Sequence, residues 1–412
     1  MKRTFLLMLL ANVCLLGSCS KLSQAQNLRS DELAPLVPIA LTAGEQSVRD
    51  ASNTFGLNTF SRLYTAGGQK DVAFSPLSLS LALSMVASGA EGDTWQQFAQ
   101  VIGWGEASRD EVGGYYQKMV EGLVKADTNV EFTSANSFWA ANDLTLKPDF
   151  LSRLKQYYAA EGYSVSFADP ATLKQINQWC SDKTDGKIPN MLSDLDSDTR
   201  LMLINALLFK APWRLTWQVK QNRDFTAAGG ATVKKDYLYT AEQDLTYGDF
   251  GDFELVRVPY GNGAYLMDVI LPKAGKALSE ILPKLNSEDI NYGLRSAKVT
   301  LYLPKWSMDY STEELLIPVL EAQGLTLPFG GLANFSGISP ESLYINQVLQ
   351  KVRIDVNERG TEFAAVTVIG MLKTTALPVT PPSVTVDVNR PFAYTIREST
   401  SGTILLLGTL SK

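Results

Sequence analysis

The chain has 412 residues, of which 45% are hydrophobic and 10% aromatic, so it can bury a large core as one big domain or two ordinary ones. A formal net charge of −6 without a basic run excludes the long-range attraction that nucleic-acid binding needs. Histidine is absent, which excludes Ser-His-Asp triads, Cys-His pairs and histidine-ligated zinc. Hydrolysis would need a Ser-Lys dyad, paired carboxylates or an all-oxygen metal site.

The first predicted element is an export signal, with the basic tip MKR ahead of an apolar run that is short for a membrane span. The run ends in LGSC at Cys19, which resembles the bacterial lipobox, so cleavage would remove residues 1–18 and leave a lipid on Cys19. A plain secretory signal cut nearby without lipid is the alternative. We expect an exported protein, anchored by lipid to a bacterial envelope and facing proteases outside the cytoplasm.

Residues 19–45 are polar at first and contain two prolines without periodicity, which predicts a tether between anchor and domain. Residues 46–412 contain no internal repeat and no Gly/Ser linker, so we predict a single mixed α and β domain. Apolar residues recur at helical spacing from Val48 until Gly67. A strand end, a serine cap and a buried helix with Pro76 in its first turn follow.

The next predicted elements alternate in type. A strand (VEFTSANSFWAAND), an amphipathic helix (PDFLSRLKQYYAAEGY) and a helix ending near Gly186 precede LMLINALLFKAPW. This continuous apolar run is typical of a strand covered on both faces in a sheet centre. Shorter strands come next: two flank the tight turn at 260–263, two read AKVTLYLPKWSMDYS and LQKVRIDVNERG, and a terminal hairpin ends the chain.

Motifs that could carry catalytic chemistry are scarce. The DLDSDT run at 194–199 alternates like the start of a calcium loop, but the required glycine and glutamate are absent, so a solvated acidic loop is favoured. Neither a G-x-x-x-x-G-K-[ST] phosphate loop nor a G-x-S-x-G elbow occurs. Cys180 lies on an apolar helical face and is interpreted as a small buried hydrophobe. We expect no enzyme activity, no cofactor and no metal.

Residues 358–382, ERGTEFAAVTVIGMLKTTALPVTPP, combine features of a strand and of a loop. In an extended strand one face would be almost wholly suited to a core, since it carries Thr361, Phe363, Ala365, Thr367, Ile369 and Met371. Lys373 and the prolines beyond it would hold the far end in solvent, because proline cannot donate to a β ladder. The segment is therefore predicted to have two states, an exposed loop and an inserted strand.

The run from Glu358 to Thr367 resembles the hinge of the serpins, the serine protease inhibitor family, and other serpin marks stand in the right order. They are Phe74-Ser75-Pro76 with Ser78, Asn136, Gln175 through Ile188, Asn205 through Trp213, and Asn389-Arg390-Pro391-Phe392. The resemblance extends from about residue 48 to the end of the chain. It implies a mixed α+β serpin fold with three β-sheets, about eight to nine helices and an exposed reactive-centre loop at about 358–382.

The resemblance also implies a mechanism. In serpins a protease cleaves the exposed loop, is acylated by it, and is trapped when the hinge inserts into the main sheet. The chain is accordingly expected to be a suicide-substrate inhibitor of serine proteases and a monomer that forms a covalent acyl complex. The implied hinge residues are Glu358, Gly360, Thr361, Glu362, Phe363, Ala364 and Ala365.

Five further positions match polar or aromatic marks of the family. Ser75, Ser78 and Asn205 match the serpin shutter beneath the sheet, although helix capping is an equal interpretation of Ser75. Gln350 stands where the family has a shutter histidine, and glutamine donates and accepts hydrogen bonds without titrating near neutral pH. Trp213 matches the tryptophan at the top of the sheet, where insertion begins, or is a plain core aromatic.

The reactive bond is placed by counting from Glu358, which gives Thr374 with Lys373 before it and Thr375 after it. Counting back from Pro391 gives a later position, and the count from the hinge is preferred because insertion length is measured from that end. Lys373 would suit a trypsin-like protease and Thr374 an elastase-like one; the lysine could instead serve only to keep the loop soluble. Phe363 departs from the alanine usual in the family and would slow insertion. One alternative is therefore a non-inhibitory serpin that acts as a binding protein or protease substrate. A second, separate alternative is an envelope hydrolase of the same fold.

Overall fold

The structure, a computed structural model, describes residues 33–286, 292–361 and 381–412. The expectations for residues 1–18, Cys19, Glu362 to Ala365 and Lys373 to Thr375 fall outside the described residues. Eight α-helices lie within them: α1 Ala43–Ala66, α2 Pro76–Ala87, α3 Gly92–Ile102, α4 Arg109–Ala126, α5 Pro148–Tyr158, α6 Pro170–Lys183, α7 Leu278–Ile281 and α8 Leu316–Glu321. None of these helices is both long enough and apolar enough to cross a bilayer.

The same residues contain fifteen strands, numbered in chain order. They are β1 Ala73–Phe74, β2 Glu131–Ala141, β3 Glu161–Val165, β4 Leu201–Pro212, β5 Gln218–Thr226, β6 Thr232–Asp249, β7 Phe253–Pro259, β8 Tyr265–Pro272, β9 Arg295–Pro304, β10 Trp306–Ser311, β11 Lys351–Asn357, β12 Gly360–Thr361, β13 Ser383–Asp387, β14 Phe392–Glu398 and β15 Ile404–Leu410. The predicted mixed α+β class is confirmed.

The described strands form two hydrogen-bonded sheets rather than three separate ones. The larger has nine strands in the order β1-β15-β14-β8-β7-β6-β9-β13, with β5 also paired to β6. The smaller has six strands in the order β10-β11-β12-β4-β2-β3. The long strand β6 passes through both parts of the larger sheet and shifts register between Thr240 and Gln243, so two of the three expected sheets are continuous through it.

Helix α2 lies between the sheets and packs against β4 and β15. Its sequence is apolar on almost every side, and such a helix is stable only when it is buried all round. The Ser75 hydroxyl caps its first turn by accepting the Ser78 amide, and Pro76 follows at the first helical position. The predicted cap and buried helix are both confirmed.

The N-terminal boundary of the folded region lies earlier than the sequence pattern indicates. Helix α1 begins at Ala43, behind a capping box formed by Thr42 and Glu45. Before it, Ile39 is buried, and its amide donates to the Thr400 hydroxyl at 2.9 Å. The last part of the predicted tether 19–45 therefore packs on the domain as extended chain, which has no helical spacing to reveal it.

Candidate functional site

The six-stranded sheet contains a cavity between β4 and the chain from 342 to 354, which we call the sheet gap. Its volume is about 250 Å³, and β4 and β11 face each other across it above the buried helix α2. Within the described residues, β4 and β11 are joined in the sheet through the two-residue strand β12. The sheet gap thus has a closed upper end and an unpaired middle.

The upper end is closed by residues of the predicted hinge. Thr361 pairs with Ala211 of β4 on one side and with Val356 of β11 on the other, both antiparallel. Thr361 is 3% exposed, and its hydroxyl lies 2.6 Å from the hydroxyl of Tyr260. The hinge residues that the sequence assigned to the start of an inserted strand already occupy that place here.

Gly360 is required where β12 enters the sheet. Its φ is +153°, a backbone conformation that side-chain-bearing residues rarely adopt. A Cβ atom there would lie 2.2 Å from the Ala211 carbonyl oxygen and 2.9 Å from the Pro212 Cα. Because both contacts are with backbone, no side-chain rotation could relieve them.

An aromatic stack lies directly beneath β12. The Trp213 ring lies 4.4 Å from the Tyr260 ring at an interplanar angle of 10°, and Phe209 meets Tyr260 edge-on at 5.7 Å. Trp213 also donates its indole N–H to the Asn357 carbonyl oxygen at 2.8 Å, which ties β4 to the top of β11. Burial raises the pKa of Tyr260 far above its usual range, so its hydroxyl stays protonated.

One ion pair holds the outer side of the hinge. The Lys305 ammonium lies 2.6 Å from the Glu358 carboxylate, with side-chain exposures of 28% and 39%. Partial burial raises the pKa of Glu358, but the hydrogen bonds from Lys305 and from its own backbone outweigh this, so the pKa lies below its usual value. The pair fixes the turn between β11 and β12.

Gln350 and Ser75 connect the β11 side of the sheet gap to helix α2. The Gln350 amide oxygen accepts the Ser75 N–H at 2.7 Å, and its NH₂ donates to the Ser75 carbonyl oxygen at 3.0 Å. The Gln350 backbone is fixed in turn by Thr312, which exchanges hydrogen bonds with its N–H and carbonyl. The Gln350 side-chain amide thus both accepts and donates a hydrogen bond, and neither bond depends on a group that titrates near neutral pH.

Ser78 and Asn205 connect the β4 side to the same helix. The Ser78 hydroxyl donates to the Asn205 amide oxygen, and the Asn205 NH₂ donates to Ser134 at 3.0 Å and to Asn136 at 2.9 Å. Asn136 faces Asn205 across the β2–β4 pair and donates to the Tyr158 carbonyl oxygen at 2.8 Å. The four predicted shutter residues therefore form two arms that meet at the first turn of α2.

Sequence reasoning did not assign several residues that complete the site. Tyr260 was placed in a turn, yet it contacts both Trp213 and Thr361. Lys305, Thr312 and Ser134 carry no local pattern that marks them, because their partners lie far away in the chain. Cys180 is buried, as predicted, and lines the cavity, and burial raises the pKa of its thiol to about 12.

Comparison with known proteins identifies the family. The family model "Serpin (serine protease inhibitor)" matches residues 50–412. Among characterised relatives, human neuroserpin is 27% identical over 90% of this chain and 93% of its own length, and serpin-Z2B of Triticum aestivum is 32% identical over 82% and 89%.

The fold comparison agrees. The crystal structure of the thermophilic serpin tengpin in the native state is 27% identical, with a TM-score of 0.79, over 94% of this chain and all of that chain. The match to the family model covers both sheets, helix α2, the hinge and the sheet gap. The chain therefore belongs to the serpin family, whose members are generally protease inhibitors.

Proposed function

We propose that the protein is a suicide-substrate inhibitor of serine proteases that traps its acyl-enzyme by inserting the cleaved loop into the sheet gap. The observation that carries the proposal is strand β12. Two hinge residues, Gly360 and Thr361, are already paired antiparallel between β4 and β11, while the sheet below them has no strand between its two sides among the described residues. Insertion would lengthen a strand that already exists, which avoids the cost of starting a new one.

The register of β12 predicts how insertion would proceed. Thr361 opposes Ala211, so two residues further on Phe363 would oppose Phe209 of β4 and Ile354 of β11. By the same count, Thr367 would arrive between Asn205 and Gln350. There its hydroxyl could exchange hydrogen bonds with the two arms of the shutter. On this face Phe363 would thus meet apolar partners, and Thr367 would meet polar ones.

Covalent complex formation tests the proposal. The purified protein, incubated with trypsin or pancreatic elastase, should give a protease complex that survives boiling in detergent. A Thr361→Arg variant is the control, because a guanidinium cannot replace the buried hydroxyl beside Tyr260 without a severe desolvation cost. This variant should be cleaved without forming a complex. Clean cleavage of the unmodified protein with no complex would reject inhibition.

The same incubation assigns the target class. Mass spectrometry of the released C-terminal peptide should place the cut after Lys373 for a trypsin-like protease or after Thr374 for an elastase-like one. The peptide would then begin at Thr374 or at Thr375. A cut elsewhere in 358–382 would move the reactive bond but leave the trapping mechanism intact.

Phe363 favours a second candidate, a non-inhibitory serpin that acts as a binding protein or protease substrate. In the register above, its ring would enter beside Phe209, which already packs edge-on against Tyr260 and Tyr265. Overpacking of this kind costs about 1–3 kcal/mol and would slow insertion. Melting before and after loop cleavage separates the candidates: an inserting loop raises the melting temperature, and Phe363→Ala should increase the yield of covalent complex. No rise on cleavage of the native sequence, together with a rise for Phe363→Ala, would favour the non-inhibitory candidate.

We also propose that the protein works as a monomer that is exported and then anchored to a bacterial envelope by lipid on Cys19. The support is the signal-like segment at residues 1–18 and the LGSC motif. Metabolic labelling with a fatty-acid analogue in a bacterial host should mark the native sequence and not a Cys19→Ala variant. Equal labelling of both would reject the anchor at this residue.

A further inference from the structure

Arg200 makes a three-way ion pair at the lower end of the sheet gap. Two guanidinium nitrogens contact the Glu341 carboxylate at 3.0 to 3.1 Å, in a bidentate geometry, and a third contacts Asp143 at 2.7 Å. The hydrogen bond and charge of Arg200 lower the pKa of Asp143. Bidentate pairs of this kind are geometrically more specific than a single lysine contact.

The pair spans the two sides between which a strand would have to fit. Arg200 immediately precedes β4, and Asp143 follows β2, which is hydrogen-bonded to β4. Glu341 lies on the opposite side, where the chain begins its path along the sheet gap towards Gln350 and β11. The Arg200–Asp143 contact therefore stays within one side, whereas the Arg200–Glu341 contact crosses from one side to the other.

We infer that Arg200 and Glu341 form a latch that holds the lower end of the sheet gap closed until loop insertion is nearly complete. The inference rests on the proposed function. In the register of β12, Thr361 opposes Ala211, so Met371, ten residues later, would oppose Leu201, ten residues earlier. A fully inserted strand would reach the latch with its last residues. Because an inserted strand holds its two neighbours about 9–10 Å apart, its arrival would draw Arg200 away from Glu341, while the Arg200–Asp143 contact can persist.

The latch is tested with a synthetic probe, a labelled peptide of residues 362–373, which begins where β12 ends and is added to the intact protein without any protease. Incorporation of the peptide is followed by native electrophoresis and by the rise in melting temperature. Glu341→Gln should speed incorporation about twofold to fivefold, the range expected when an exposed ion pair is removed from a closed state. The native sequence should approach the rate of the variant in 1 M salt, because salt screens exposed pairs.

Two control variants test whether the change in incorporation rate comes from the Arg200–Glu341 contact. Asp143→Asn removes the partner of Arg200 on its own side, and Asp309→Asn removes the 3.0 Å partner of Arg353 within the paired strands β10 and β11. Neither should change the rate by more than about 1.5-fold. Arg200→Gln should match Glu341→Gln, and the double variant should be no faster than either, because the two residues act through one contact.

The outcomes separate the latch from the mechanism on which it rests. Equal incorporation rates for the native sequence, Glu341→Gln and Asp309→Asn would overturn the latch and leave loop insertion standing. An additive double variant would also overturn it, since it would show that the two side chains act independently. A peptide that enters none of these proteins, in a protein that also forms no protease complex, would overturn loop insertion and the latch together.

Discussion

The upper end and the middle of the sheet gap are held by different interactions. At the upper end, strand pairing and a buried aromatic stack surround Thr361. In the middle, side-chain hydrogen bonds from Ser75 and Ser78 hold each side to helix α2. An inserted strand can offer new hydrogen bonds in exchange for those of the middle, but it has no substitute for packed aromatic rings. The upper end is therefore the fixed start, and the middle is the part that can reorganise.

Disruption of the aromatic stack at the upper end of the sheet gap should have the largest effect on stability. Trp213→Ala deletes a side chain that is 1% exposed and stacked on Tyr260, so it should lower the free energy of unfolding by about 3–5 kcal/mol. Urea denaturation measures this. Trp213→Phe is the control: it keeps a ring and loses the hydrogen bond to Asn357, and it should lose less. A loss below 1 kcal/mol for Trp213→Ala would mean that the stack does not hold the upper end.

The hydrogen bonds in the middle of the sheet gap should contribute less to stability than the aromatic stack, although their loss should still be measurable. Gln350→Leu would leave the Ser75 N–H and carbonyl without their partner in a buried site, at about 1–3 kcal/mol. Chemical denaturation measures the loss. Gln350→Glu is a useful contrast, because a carboxylate can still accept the Ser75 N–H but cannot donate to its carbonyl. The reverse order, with Gln350→Leu more damaging than Trp213→Ala, would contradict the contrast between the two regions.

Gly360→Ala should release β12 without unfolding the domain. The added Cβ would meet backbone atoms at 2.2 Å and 2.9 Å, so leaving the sheet is cheaper than staying in it, at a cost of about 2 kcal/mol. Hydrogen exchange should show faster exchange at Thr361 and unchanged protection in β8. Gly229→Ala is the matched control, since open space surrounds it. Protection at Thr361 equal to that of the native sequence would contradict the strain argument.

The smallest effect belongs to the outer ion pair. Lys305→Met should lower the free energy of unfolding at pH 7 by less than about 1 kcal/mol, because both partners are partly exposed. The pKa of Glu358 is lowered in the folded state, so the stabilisation is present above its unfolded pKa of about 4.3 and is lost as pH falls through the folded value. Denaturation curves of variant and native protein should converge in acid. A difference that grows below pH 4 would contradict this sign.

Elements with strong local patterns were predictable from the sequence. The capped, buried helix α2, the apolar strand β4 and the terminal hairpin of β14 and β15 were recognised from spacing and cap residues. Helices α3 and α4 and the β5–β6 pair were not assigned. The continuity of the larger sheet was also missed, because the long strand β6 passes from one part to the other through a register shift that no residue pattern marks.

The sequence alone determined which functional groups are present. It has no imidazole, a glycine and a threonine at the start of a strand-forming hinge, and at Gln350 an amide that does not titrate. Only the tertiary structure decided which groups meet. Ser78 and Asn205 are 127 residues apart, Trp213 and Asn357 are 144 apart, and Ser75 and Gln350 are 275 apart. Local propensity carries no information about contacts at such separations, since they exist only after both sheets have packed around α2.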